Sequence, residues 1–255
     1  MKERLHPSMF IGMQKEGIIS FGSGQPDLPP PKEIYEILGN AKKSFRYGLI
    51  QGREDLREAL SKQYVNDKDD FVITNGASEA LDLTLRVIGK KGGKILLHKP
   101  YYYSYPPLVE FAGLKPVYTE TKRGKIDIDD FYEKVKDCKA ALINSPSNPT
   151  GRIQELGTLK GIERITEDLD IPLISDEVYK DLIYERENYM LRGPHVVTIN
   201  SFSKTFGMCG FRVGYLYSND KKLVKKSIDL KTHTSMNTNT LAQELAYAAT
   251  KGPKE

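Results

Sequence analysis

This chain is best interpreted from the stretch Val196-Val197-Thr198-Ile199-Asn200-Ser201-Phe202-Ser203-Lys204-Thr205-Phe206-Gly207. The stretch begins as a continuous apolar run, which is typical of a strand covered on both faces of a sheet. A few residues later it reaches Lys204, which has the small hydroxyl residues Ser203 and Thr205 on either side. Ligands of parallel α/β sheets collect at the carboxyl ends of the strands. The stretch therefore predicts a strand that ends at a functional lysine.

Further short apolar segments predict strands of the same kind, at residues 71–74, 94–98, 116–119, 140–144, 171–175 and 212–217. Amphipathic helices alternate with them, for example at 78–88 and at 127–135, where Asp127 is the expected N-terminal cap. Two more helices are expected before the first strand, near Lys32–Lys43 and from Arg53 onward. This alternation predicts a three-layer α/β/α fold with a mostly parallel central sheet of about seven strands.

The composition of the chain limits its class. With 255 residues, 39% of them hydrophobic and 28% charged, it can bury a full core and reads as a globular, water-soluble protein. No apolar run approaches the roughly 20 residues that span a bilayer, and residues 1–7 lack the apolar core of a signal peptide. Cys138 and Cys209 form no motif, so we expect a reduced, cytoplasmic protein. The histidines have no metal-ligand spacing, so we expect no metal site. The basic cluster Lys221–Lys226 is interpreted as a solvated helix face, with a nucleic-acid patch as the alternative, so we expect no nucleic-acid partner. The lack of a long apolar run likewise predicts no membrane partner.

The residues around Lys204 indicate the kind of ligand. A lysine among small residues can reach a carbonyl group and form a Schiff base. Ser201, Ser203 and Arg212, which stands eight residues after Lys204, offer hydroxyl groups and a fixed positive fork that suit a phosphate group. Pyridoxal 5'-phosphate (PLP) requires this combination of a Schiff-base lysine and phosphate donors.

Two other segments that follow predicted strands can contact the same cofactor. Ala77 and Ser78 open a helix, and the N–H groups of a helix N-terminus bind anions. The alternative for this segment is ordinary helix capping. Tyr102 lies in a tyrosine-rich turn and can stack on a planar heterocycle. The alternative there is a set of tyrosines that pack in the core or on the surface.

Two more segments complete the pattern. Asn148 precedes Pro149, which holds it extended and would fix its amide toward a ligand, although by composition the segment is merely a loop. Asp176 ends an apolar strand, and if the chain turns helical there, Asp176 and Tyr179 share a face. A buried, ionised Asp176 needs a cationic partner, which a protonated pyridine nitrogen provides. The alternative for Asp176 is a helix N-cap.

Together these segments resemble the fold-type I PLP enzymes, specifically the class I/II aminotransferases that include the aspartate, aromatic and histidinol-phosphate enzymes. The resemblance extends over essentially all 255 residues. It implies a PLP cofactor that is bound by Ala77, Ser78, Tyr102, Asn148, Asp176, Tyr179, Ser201, Ser203, Lys204 and Arg212. Among these residues, Lys204 would form the Schiff base, Asp176 would pair with the pyridine nitrogen, and Tyr179 would contact the ring O3′ with Asn148. These three residues, Lys204, Asp176 and Tyr179, are the expected catalytic residues.

The resemblance also assigns roles to the N-terminal part of the chain. Gly24, in Gly24–Asp27, resembles the glycine whose backbone faces the substrate carboxylate, so Gly24 and Asn148 are the expected substrate-binding residues. Tyr47 resembles the tyrosine that reaches the phosphate of the neighbouring subunit, which implies a homodimer with a shared active site. We expect an extended N-terminal segment at residues 1–30 and a PLP-binding large domain at 31–255.

The chain departs from the family at its C-terminal end. Family members are longer and end in a small α/β domain that carries the arginine for the substrate α-carboxylate. The last arginine here is Arg212, so no residue can be assigned to that role. A truncated chain that lacks the small domain is the favoured interpretation, and a different mode of substrate binding is the alternative.

The resemblance implies transfer of an amino group from an L-amino acid to a 2-oxo acid by a ping-pong mechanism. A PLP-dependent lyase or decarboxylase on the same scaffold is one alternative. A non-catalytic PLP-binding module is another, and the intact Lys204 and Asp176 count against it. The sequence does not identify the amino acid or the oxo acid.

Overall fold

A seven-stranded sheet organises the chain in the computed structural model, which describes residues 26, 28–38, 46–89, 91–184 and 188–252. The strands of this sheet are β1 (Phe71–Thr74), β2 (Lys94–His98), β3 (Lys115–Thr119), β6 (Ala140–Asn144), β7 (Leu173–Asp176), β8 (Val196–Ser201) and β9 (Gly214–Ser218). Their order across the sheet is β1-β9-β8-β7-β6-β2-β3. A separate two-stranded hairpin pairs β4 (Thr121–Lys122) with β5 (Lys125–Ile126). The sequence did not indicate this hairpin.

The strand directions place six carboxyl ends at one edge of the sheet. Strands β3, β2, β6, β7 and β8 pair in parallel, whereas β9 runs antiparallel to both β8 and β1. Strand β1 therefore points the same way as β8, and only the amino end of β9 lies at the shared edge. The predicted mostly parallel sheet is confirmed.

Helices cover both faces of this sheet. They are α1 (Glu33–Leu38), α2 (Glu54–Tyr64), α3 (Gly76–Ile88), α4 (Tyr105–Phe111), α5 (Ile128–Val135), α6 (Leu156–Asp168), α7 (Phe202–Thr205), α8 (Lys221–Thr232) and α9 (Thr240–Ala249). Asp127 caps α5 as predicted, because its side chain accepts hydrogen bonds from the N–H groups of Asp129 and Asp130. Residues 39–43 of the predicted Lys32–Lys43 helix lie outside the described residues. None of the described helices has the length and apolar character needed to cross a bilayer.

The core lies on both sides of the sheet because successive residues of each strand point to opposite faces. Leu142, Ile174 and Val197 pack on one face with α3, α4 and α8. Ile143 and Leu173 pack on the other face with α5 and α6. Every residue of β6, β7 and β8 is buried, and each fully buried leucine or isoleucine contributes about 2 kcal/mol of hydrophobic free energy. This packing gives the predicted three layers and a rigid edge on which side chains can be positioned.

Candidate active site

Five of the predicted cofactor segments follow the carboxyl ends of β1, β2, β6, β7 and β8, and these ends share one edge of the sheet. Three of these strands, β6, β7 and β8, are direct neighbours, because Asn144 pairs in register with Asp176 and Asp176 pairs with Ile199. Arg212 comes just before β9, so the reversed direction of that strand brings it to the same edge.

Lys204 lies in α7, the short helix that directly follows β8. The hydroxyl oxygen of Ser201 caps this helix by accepting a 3.2 Å hydrogen bond from the N–H of Ser203. The side chain of Phe202 is buried in the core, which fixes the helix against the sheet. Lys204 Nζ lies 6.0 Å from the centre of the Tyr179 ring. The lysine is therefore held at the strand end beside a second predicted site residue.

Asp176 is a buried acidic group at this edge, with 6% of its surface exposed. Its Oδ2 accepts a 2.7 Å hydrogen bond from the hydroxyl of Tyr105, and its Oδ1 accepts a 3.1 Å bond from the N–H of Val178. Burial raises the pKa of Asp176 to about 6, and the bond from Tyr105 opposes that rise. Within the described ranges no lysine or arginine forms an ion pair with this carboxyl. A buried carboxylate without such an ion pair among the described residues is suited to binding a positively charged group of a ligand.

The chain after Asp176 forms a turn, so the conditional helix of the sequence analysis is wrong. The N–H of Lys180 donates to the carbonyl of Glu177 at 2.9 Å, and that of Leu182 donates to the carbonyl of Tyr179 at 3.0 Å. The bond from Val178 N–H to Asp176 Oδ1 favours this local turn over a helix. The alternative of Asp176 as a helix N-cap fails for the same reason. Tyr179 nevertheless reaches the site, where its hydroxyl accepts a 3.0 Å bond from Asn148 Nδ2.

Asn148 is fixed by its neighbour Asn144. The N–H of Asn148 donates to Asn144 Oδ1 at 2.7 Å, and Asn144 Nδ2 donates to the carbonyl of Asp176 at 3.0 Å. Asn144 thus links the loop after β6 to the end of β7. The sequence analysis placed Asn144 in a strand without a role, although a polar amide at the end of an apolar strand was a usable signal.

The tyrosine-rich turn contributes two different side chains. The ring of Tyr102 lies edge-on to those of Tyr103 and Tyr105, with centroid distances of 4.6 and 5.5 Å. Burial raises the pKa of Tyr102 to about 12. Tyr105 begins α4 and contacts Asp176, a function that the sequence analysis missed. The four tyrosines at 101–105 were a signal for aromatic contact, but nothing in their spacing indicated which one reaches a carboxylate.

The predicted phosphate side is assembled by close backbone contacts. Gly76 has a φ of +78°, and a Cβ on it would meet the guanidinium of Arg212, so only glycine fits. A Cβ on Gly214 would lie 2.7 Å from the backbone nitrogen of Ala77. Gly214 also pairs in register with Ser201. The first turn of α3, with Ala77 and the exposed Ser78, therefore adjoins both Ser201 and Arg212.

Two predicted site residues are not part of this cluster. Tyr47 lies in the loop before α2 and is 86% exposed. Gly24 lies outside the described residues. Among those that are described, no group of three or more histidine, cysteine, aspartate or glutamate side chains is arranged to hold a metal ion.

Comparison with known proteins places this geometry in a family. The family model "Aminotransferase class I and II" matches residues 16–255. The chain belongs to this family. Its members are PLP-dependent enzymes that transfer amino groups, which confirms the family that the sequence motifs predicted.

Individual relatives agree with this assignment. The chain is 35% identical over 261 residues to a probable aspartate aminotransferase of Methanocaldococcus jannaschii, covering 93% of this chain and 68% of the relative. The crystal structure of the aspartate aminotransferase from Thermotoga maritima matches with a TM-score of 0.88 at 29% identity, covering 97% of this chain and 70% of the other. An alanine aminotransferase from Pyrococcus furiosus matches with a TM-score of 0.83 at 33% identity, covering 89% and 63%. The chain spans about two thirds of the length of these proteins.

The described side chains fit PLP at each end of that molecule. Asp176 offers a buried carboxylate with no cationic partner among the described residues, which suits a protonated pyridine nitrogen. Gly76 has no Cβ, so its backbone can lie beside Arg212 and a phosphate group can approach it closely. Lys204 lies in α7, one residue after Ser203, and its Nζ is 6.0 Å from the centre of the Tyr179 ring.

Proposed function

We propose that this chain is the cofactor-binding part of an aminotransferase that moves an amino group from an L-amino acid to a 2-oxo acid by a ping-pong mechanism. One observation carries the proposal. Asp176 ends β7 and Lys204 follows β8, and these two strands are adjacent and parallel. The hydrogen-bonded pair of Asn148 and Tyr179 lies at the same edge of the sheet.

In this proposal the catalytic side chains have separate tasks. When bound, PLP supplies an electron sink for the carbon that carries the substrate amino group. Lys204 would hold the carbonyl group of the cofactor through its Nζ, and it would move the proton of the substrate Cα as a general base. Asp176 keeps the ring nitrogen protonated, because a buried carboxylate stabilises an adjacent positive charge. The hydroxyl of Tyr179 and the amide of Asn148 orient the ring through O3′.

The remaining predicted residues hold the cofactor. We propose that the N–H groups of Ala77 and Ser78 bind the phosphate at the positive end of α3. Ser201, Ser203 and Arg212 complete that phosphate site, and Arg212 is suited to it because a planar guanidinium pairs with two phosphate oxygens. Tyr102 stacks on the ring at the end of β2.

Several wider proposals rest on the family rather than on contacts within this chain. Residues 31–255 would make the PLP-binding large domain after an extended segment at 1–30, with Gly24 facing the substrate. The exposed Tyr47 would reach the phosphate of a second subunit in a homodimer located in the cytoplasm. Sedimentation at saturating PLP tests the dimer, and a monomer there contradicts the shared site. The relatives are named for aspartate and for alanine, so the fold leaves the substrate open.

A half-reaction tests the proposed activity. The PLP-loaded chain is mixed with single L-amino acids, and the cofactor absorbance and the released products are followed together. The proposal predicts conversion of bound cofactor to its amine form with one equivalent of 2-oxo acid. Release of carbon dioxide, or of pyruvate with ammonia over many turnovers, indicates a decarboxylase or a lyase and contradicts it. Lys204→Ala is the control that should abolish the absorbance change.

A further inference from the structure

Lys231 is a lysine of α8 whose side chain is fully buried. Its exposed fraction is 0%, and its Nζ lies 3.0 Å from Glu79 Oε2 and 2.9 Å from Ser235 Oγ. The hydroxyl of Ser235 in turn donates to Glu79 Oε1. Burying an ammonium group costs several kcal/mol unless it is paired and hydrogen-bonded. Lys231 and Glu79 therefore form a specific charge pair in which the lysine is buried.

Glu79 connects this pair to the turn between β1 and α3. Its Oε2 also accepts hydrogen bonds from the backbone N–H of Asn75 at 2.5 Å and from Asn75 Nδ2 at 3.1 Å. Asn75 directly precedes Gly76, whose backbone packs against Arg212. One carboxylate thus ties a buried lysine of α8 to the turn that presents Ala77 and Ser78.

The charges on this turn affect any anion that binds there. Glu79 lies in the first turn of α3, together with the N–H groups of Ala77 and Ser78. A carboxylate at that position stabilises the helix dipole but repels a phosphate dianion through the same field. Lys231 is the cation that offsets this repulsion, because its Nζ lies 3.0 Å from Glu79 Oε2.

We propose that Lys231 is a positioning residue for the phosphate end of the PLP site. By neutralising Glu79 and keeping it bonded to Asn75, Lys231 holds the first turn of α3 in a form that accepts a phosphate. This inference rests on the proposed function, because it assumes that the turn binds the phosphate of PLP.

Titration with two forms of the cofactor tests the inference. The full chain, freed of cofactor, is titrated with PLP and separately with pyridoxal, which lacks the phosphate, and the Schiff-base absorbance gives each Kd. The ratio of the pyridoxal Kd to the PLP Kd measures the contribution of the phosphate. Lys231→Met should lower that ratio by roughly tenfold, which corresponds to about 1.4 kcal/mol. Lys226→Met, an exposed lysine on the same helix, is the matched control and should leave it unchanged.

A double variant separates charge from packing. In Glu79→Gln with Lys231→Met neither charge remains, so the ratio should return to within about threefold of the unaltered chain. An unchanged ratio in Lys231→Met, or an equal weakening of both ligands, overturns the inference. If Lys231→Met does not fold, Glu79→Gln alone decides, because removing the carboxylate should raise the ratio, and an unchanged or lower ratio overturns the inference.

Failure of the proposed function gives a different result. In that case the unaltered chain forms no Schiff base with either PLP or pyridoxal. The inference is then decided by inorganic phosphate, which should raise the Tm of the unaltered chain and of Lys226→Met more than that of Lys231→Met. Equal Tm shifts in all three proteins overturn it.

Discussion

The hydroxyl of Tyr105 donates a 2.7 Å hydrogen bond to Oδ2 of Asp176. The strands that position these two residues are not neighbours in the sheet. Tyr105 begins α4 after β2, Asp176 ends β7, and β6 lies between those strands. Both side chains are buried. Burial raises the pKa of Asp176 to about 6, and the bond from Tyr105 acts in the opposite direction. Tyr105 therefore favours the charged form of the carboxyl on which the proposed chemistry depends.

Removing that bond should raise the pKa of Asp176 further. A hydrogen bond to a charged group contributes about 1.5–3 kcal/mol, so Tyr105→Phe should shift the pKa upward by roughly one to two units. Carbon NMR of aspartate-labelled, cofactor-free protein measures this titration directly. Tyr103→Phe, which alters a partly exposed neighbour, is the control and should leave the pKa in place. A Tyr105→Phe protein with an unshifted Asp176 pKa contradicts the role given to Tyr105.

Asp176 should destabilise the cofactor-free protein at neutral pH. Its pKa is about 6 in the folded chain and 3.8 as the ordinary value, so the folded state binds the proton more tightly. Stability contributed by the protonated form is present at acidic pH and is lost as pH rises from about 4 through 6. Asp176→Asn should therefore increase the free energy of unfolding at pH 7.5 by about 1–3 kcal/mol, with the gain disappearing near pH 4. Urea unfolding at the two pH values measures it, and a variant that is less stable at pH 7.5 contradicts the account.

His98 should have the opposite pH dependence. Burial lowers its pKa from 6.5 to about 4, and its Nε2 accepts a 3.2 Å bond from the N–H of Asn144, which requires the neutral ring. The unfolded chain binds the proton more readily, so stability is lost as pH falls from 6.5 toward 4. This residue should account for about 3 kcal/mol of that loss. His98→Gln should flatten the decline in urea unfolding, whereas His233→Gln, at an exposed position, should not.

Features set by neighbouring residues were predictable from the sequence, whereas contacts between distant segments were not. The strand positions follow from apolar runs in the sequence. The Asp127 cap follows from a side chain that bonds backbone N–H groups only two and three residues further along the chain. The bond from Tyr105 to Asp176 spans 71 residues, and that from Lys231 to Glu79 spans 152. Such contacts depend on the order of strands in the sheet, which apolar runs do not specify. The helix that was considered as a condition after Asp176 does not form, because the side chain of Asp176 accepts a hydrogen bond from the N–H of Val178 in its own turn.

Gly76 should be intolerant of any side chain. Its φ of +78° disfavours other residues, and a Cβ there would meet the Arg212 guanidinium. Gly76→Ala should lower the free energy of unfolding by about 1–3 kcal/mol and weaken PLP binding, because Arg212 must move. Gly157→Ala is the control, since a Cβ at Gly157 meets no atom within 4 Å. Equal behaviour of the two variants in unfolding and in PLP titration contradicts the assigned geometry.

Covalent mapping of the cofactor tests the central claim most directly. The chain is saturated with PLP, reduced with borohydride, digested and analysed by mass spectrometry. The account predicts one pyridoxyl group on the peptide that contains Lys204, and its loss in Lys204→Ala, because Lys204 is the lysine at the end of β8 beside Tyr179 and within the serine-flanked turn. A pyridoxyl group recovered mainly on any other lysine, or retained in Lys204→Ala, contradicts it.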